Sequence, residues 1–102
     1  MDAGRTADAI AAFERARTLR PPAFTQDLDL GVLYLAARRF EDARQALDRE
    51  LAAHPDDPMA LFKRAQVSVL LNEPDRLQRI ELAKKRADAV TRPLIERERL
   101  FR

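Results

Sequence analysis

The sequence predicts an all-α fold, an antiparallel helix-hairpin solenoid of about five to six short helices, and three observations carry that prediction. Glycine occurs twice in 102 residues, and Trp and Cys do not occur at all. Ala, Leu, Arg and Glu, whose side chains lose little freedom in a helix, are abundant. Apolar residues recur at three- and four-residue steps, and the pattern itself returns after 34 residues: Ala9 as Ala43, Phe13 as Leu47, Pro21 as Pro55.

Each element follows from its own punctuation. A first helix is expected from about Thr6, an N-cap residue type, to Arg20, with Ala9, Ile10, Phe13, Ala16 and Leu19 on one stripe and Pro21-Pro22 as its stop. A second runs from about Phe24 or Thr25 to Ala37, and a third from about Phe40 or Glu41 to Ala53, before His54-Pro55. Asp57-Pro58 pairs an N-cap with Pro at the first helical position and opens a fourth helix to about Leu71. After the break at Asn72-Glu73-Pro74-Asp75, a fifth helix is expected over Asp75 to Val90, and Pro93 opens a short sixth towards Phe101. Connections this short make successive helices antiparallel neighbours.

Composition narrows the function classes. The length suits one small domain. With 35% charged and 46% hydrophobic residues and a net charge of +2, the chain reads as globular. Absent cysteine excludes disulfides, thiolate zinc sites and a cysteine nucleophile. One His, one Ser and one Tyr supply no nucleophile–base–orienter set, so neither an enzyme nor a cofactor is expected. His54-Pro55-Asp56-Asp57 reads as a turn and a cap rather than a metal site. No apolar run approaches the roughly 20 residues that span a bilayer, and Met1 to Arg20 is too charged for a signal peptide, so a soluble cytoplasmic chain is expected, without membrane insertion. Sixteen Arg against three Lys associate with a GC-rich, bacterial source. Residues 1–58 carry −3 and residues 59–102 carry +5, but Arg76, Arg79, Lys84, Lys85 and Arg86 fan around a helix with no aromatic between them. That argues against nucleic acid and for a solvated face, or an acidic protein partner.

The 34-residue period with its small–large–small pattern resembles the tetratricopeptide repeat, a helix–turn–helix unit. The second repeat carries the signature as Leu30-Gly31, Tyr34, Phe40 in the turn, Ala43, Leu47 and Pro55; Asp27 stands at the signature Trp, and Glu50 where a small residue is usual. The first unit has only its second half: Gly4, Ala9, Phe13, Ala16 and Pro21. The third is degenerate, with Leu61 and Ala65 in place but Arg64, Ser68 and Leu77 where Leu, Tyr and Ala belong. The expected division is a half repeat over 1–22, a full repeat over 23–56, a degenerate repeat over 57–90 and a capping helix over 91–102. A lone hairpin cannot bury its apolar face, so neighbours must stack. The opening on a second helix then implies either a piece of a longer array or self-association, with Ile10, Phe13, Leu94 and Phe101 as candidate contacts and a homo-oligomer as the consequence.

The second expected helix is apolar on both sides, so both must be covered. Leu30, Gly31, Leu33, Tyr34 and Ala37 face the hairpin, while Leu28, Val32, Leu35 and Ala36 lie opposite. The resemblance implies that this second face lines a concave groove for a protein or peptide partner, continued by Met59, Phe62, Lys63, Gln66 and Val69 on the fourth helix. The competing expectation is internal fill, with Leu94, Ile95, Leu100 and Phe101 folded back into the groove. Some family members clamp a chaperone's C-terminal carboxylate there. Leu28 and Val32 occupy the resembling positions and hold no anion, which leaves Lys63 and Gln66 as the only polar contributors.

Overall fold

A computed structural model describes residues 3–19 and 26–102, apart from the side chains at 3–5, 13, 16–19 and 26. The described residues form six α-helices: α1 (Ala3–Leu19), α2 (Gln26–Ala36), α3 (Phe40–Ala53), α4 (Pro58–Leu70), α5 (Arg76–Lys85) and α6 (Thr91–Arg97). A 3-10 turn follows at Arg99–Phe101. Consecutive helices pack on one another from α1 through α6, and α2 also touches α4. The expected stop at Pro21-Pro22, the start at Phe24 or Thr25, and the side chains of Phe13, Ala16 and Leu19 lie outside the described residues.

The two hairpin turns are built alike, 34 residues apart. Arg39 N–H donates to the Tyr34 carbonyl and Glu73 N–H to the Ser68 carbonyl, each at 2.8 Å; Arg38 N–H to Leu35 and Asn72 N–H to Val69 repeat the inner bond. Arg38 and Asn72 stand in the left-handed region, at φ 60° and 53°. So the third unit keeps the turn of the second although Arg64, Ser68 and Leu77 replace signature residues. Both residues bring Cβ towards the following carbonyl, but the short polar side chain of Asn offsets this by local hydrogen bonding better than that of Arg. Arg38→Gly is therefore expected to raise stability by about 0.5–1 kcal/mol, and Asn72→Gly by less, as read from urea denaturation midpoints.

Inside the first hairpin, Gly31 lets α2 and α3 close together. A Cβ there would lie 2.6 Å from Leu47 Cγ and Cδ2. Leu47, Ala43, Ala46 and Leu30, all at most 1% exposed, form one core with Ile10, Tyr34 and Val67. The Arg39 guanidinium covers the Tyr34 ring at 4.7 Å, and burial pushes the Tyr34 hydroxyl pKa up. A second core joins Leu61, Phe62, Ala65, Ile80, Ala83 and Ile95. Ile95 lies 34 residues beyond Leu61 and is buried like it, which gives α6 the place of a first helix against α4 and α5.

Arg64, at the place of Leu30 in the preceding unit, is 2% exposed. Its Nε donates to Asp48 on α3 at 2.7 Å, and its two terminal nitrogens donate to both oxygens of Glu73 in the α4–α5 turn. The apolar residue of the signature is thus replaced by a charge clip joining three segments.

Three sequence expectations need correction. Thr6 does not cap α1 but lies within it, 6% exposed and one turn before buried Ile10; packing against α2 outweighs its local capping preference. The fifth helix ends at Lys85 rather than near Val90. Asp88 stops it by accepting from the backbone N–H of Val90 (3.1 Å) and Thr91 (2.8 Å) while the Thr91 hydroxyl accepts from Asp88 N–H at 2.9 Å, a reciprocal cap that starts α6. These bonds hold the Asp88 carboxyl below the usual carboxylate range. The sixth helix accordingly begins at Thr91, and Pro93 sits in its first turn, where no backbone N–H is needed; the segment to Phe101 breaks at Glu98 instead of continuing as helix.

Candidate functional site

The face expected to bind a partner is set by the repeat register. Leu28, Val32, Leu35 and Ala36 stand on one side of α2, away from Leu30 and Tyr34. The residues 34 positions later on α4 are Phe62, Gln66, Val69 and Leu70. With α2 and α4 in contact, the two rows adjoin.

The two rows differ in what covers them. On α2, Val32 is 37% exposed, Ala36 is exposed, and Leu28 and Leu35 are half-buried against the first core. On α4, Leu70 is 40% exposed, whereas Phe62 is 3% exposed and takes no part in an open surface. The Phe101 ring meets Phe62 edge-on, with centroids 5.8 Å apart and planes at 88°. The Gln66 amide donates to the Glu98 carboxylate. Met59 and Val69 are half-buried against the same core. Among the described residues the α4 row is thus partly covered by the C-terminal segment, while Val32 and Ala36 of the α2 row are exposed. Of the fill residues, Ile95 and Phe101 reach the second core, while Leu94 points outward at 37% exposure.

Two residues expected to drive self-association are already used within the chain. Ile10 is 2% exposed in the first core because α1 packs on α2, and half-buried Phe101 seats on Phe62. Leu94 stays accessible, and the Phe13 side chain lies outside the described residues. Sequence reading missed Leu70 and Glu98. The register from Ala36 points to Leu70; no local pattern points to Glu98, which lies 32 residues from Gln66.

Charge at the face is concentrated at Lys63. Its ammonium lies 5.2 Å from the Phe62 ring centroid, burial pushes its pKa down, and Glu98 pulls it back up. At the end of α3, Glu50 is 3% exposed and its Oε2 has no hydrogen-bond partner among the described residues. Burial first, then the Asp57 charge, raises its pKa, with His54 opposing. No group of three or more His, Cys, Asp or Glu among the described residues is arranged to hold a metal ion. Asp57 is engaged as the α4 cap, accepting from Met59 N–H at 3.1 Å. No described helix is long and apolar enough to cross a membrane.

Stacked helix hairpins in one register define a helical-repeat protein. The tetratricopeptide repeat family profile matches residues 1–67, about two thirds of the chain, and the protein belongs to that family, whose repeats generally mediate protein–protein interaction. No curated protein and no solved structure matches it.

Proposed function

We infer that this chain is a non-catalytic recognition module that takes a peptide or amphipathic helix of a protein partner along the α2–α4 face, as a scaffold or adaptor of a larger assembly. Its working units are the repeats expected over 23–56 and 57–90. The observation that carries this reading is the exposure of Val32 and Leu70, 37% and 40%, on helices whose opposite sides are buried. Leu28, Leu35 and Ala36 extend the apolar row, and Lys63 and Gln66 add the polar groups that orient a bound segment.

The test is Val32→Glu. At a site this exposed the substitution is expected to lower stability by less than about 1 kcal/mol. It should weaken peptides selected from a random library on the parent chain by about tenfold or more, because a carboxylate would be desolvated beneath them. Titration of those peptides against both proteins reads the result. Unchanged affinity on a folded Val32→Glu chain would rule the face out.

A further inference from the structure

We propose that Glu98–Phe101 is a built-in, displaceable occupant of the α4 half of the recognition face, and that the partner is a segment with the same chemistry, a carboxylate three residues ahead of an aromatic ring. This rests on the recognition role inferred above and specifies what is recognised. Two complementary contacts hold the segment. The Gln66 amide donates to Glu98, whose charge also faces the half-buried Lys63, and the Phe101 ring stands edge-on to Phe62. Glu98 meanwhile accepts from Leu100 N–H at 3.0 Å through its other oxygen. That bond folds the chain into a single 3-10 turn and sets the spacing between carboxylate and ring.

The seat is built for such a segment yet weakly closed over it. Lys63 is half-buried with its ammonium 5.2 Å from the Phe62 ring centroid, so a carboxylate taking the place of Glu98 would meet a cation already held at the seat. Phe62 lies beneath both Lys63 and Phe101 and presents its ring to each. The seated segment, by contrast, is one turn after the end of α6, with Arg99 exposed and Leu100 and Phe101 half-buried. Beside Phe101 lies a cleft of about 410 Å³ bounded also by Lys84, Ala87, Arg92 and Ile95. Phe101 thus packs tightly on the Phe62 side and loosely on the other. Releasing it uncovers an aromatic floor, a cation and an amide donor next to the open α2 row.

An intramolecular occupant competes at high effective concentration, so weakening it raises the apparent affinity for a like segment in trans. The probe is a fluorescent peptide of this chain's residues 96–102, titrated by anisotropy against the full chain and its Glu98→Gln/Phe101→Ala variant. The variant is expected to bind the probe about tenfold more tightly than the parent. Lys63→Ala in that background should abolish the gain, and a control peptide with Gln and Ala at the two positions should not bind. Glu98→Gln alone, which keeps Phe101 in place, is the second variant should the double one unfold, with a gain of about threefold expected. Equal binding of probe and control by a folded variant would overturn the proposal. If library peptides still respond to Val32→Glu, only the Glu98–Phe101 assignment fails; if that response is missing as well, the recognition role fails with it. A concentration-dependent dimer of the parent, abolished by Glu98→Gln/Phe101→Ala, would place the segment on a second copy and overturn intramolecular competition.

Discussion

Arg64→Ala is expected to lower the stability of this chain by about 3 kcal/mol, at the low end of the range for breaking a buried ion pair. Arg64 is 2% exposed, and it bonds Asp48 on α3 and both oxygens of Glu73 in the α4–α5 turn. Truncation leaves the Glu73 side chain, only 17% exposed, with Arg44 no closer than 3.9 Å. Asp48, whose side chain is half exposed, rehydrates, and this keeps the loss from being larger. Arg64→Leu combined with Glu73→Gln is expected to recover most of it, since an apolar residue at this place matches Leu30 in the preceding unit and no charge is stranded. The Arg64 hydrogen bonds hold the Glu73 pKa below its ordinary value. The Glu73 contribution is therefore fully present above the unfolded glutamate pKa of about 4.3 and is lost as the pH falls through the lower folded value. Urea denaturation at about pH 7 and about pH 3 should show the parent losing more stability in acid than Arg64→Ala does. A loss below about 1 kcal/mol at neutral pH would mean the clip is not a structural tie.

The second large effect lies where Gly31 meets Leu47. Leu47→Ala is expected to cost about 3 kcal/mol, because the side chain is fully buried and its removal leaves a cavity between α2 and α3. Gly31→Ala is expected to cost about 1–2 kcal/mol in the parent. Alanine would gain about 1 kcal/mol of helix propensity, but its Cβ would lie 2.6 Å from Leu47 Cγ, a branch point that cannot swing aside in a filled core. In the Leu47→Ala background the obstruction is gone, so the same Gly31→Ala change should become stabilising by up to about 1 kcal/mol. The reversal of sign between two thermal melts is the measurement. A Gly31→Ala change that destabilises equally in both backgrounds would place the glycine's role elsewhere.

Both hairpin turns, the Asp57 cap and the outward side of α2 were legible because each depends on residues within a few turns of one another, and the period because it repeats such a local pattern. The left-handed residue closing each hairpin was concealed at Arg38 by a side chain that gives no hint of positive φ. Helix α5 was misjudged by five residues because Asp88 and Thr91 satisfy one another's backbone groups and end a run with helical composition.

By itself the sequence determined the helical class, the 34-residue register and which apolar residues share the second side of α2, since periodicity, caps and breakers act locally on the backbone. Only the tertiary structure decided which of those residues are free. Val32 and Gln66 occupy the same position on successive first helices, yet Val32 is 37% exposed and Gln66 is half-buried and bonded to Glu98. Glu98 and Phe101 contribute to that cover, reaching Gln66 and Phe62 from more than thirty residues away. Burial is a property of what arrives from elsewhere in the chain, and a helical repeat read along one strand of sequence contains no term for it.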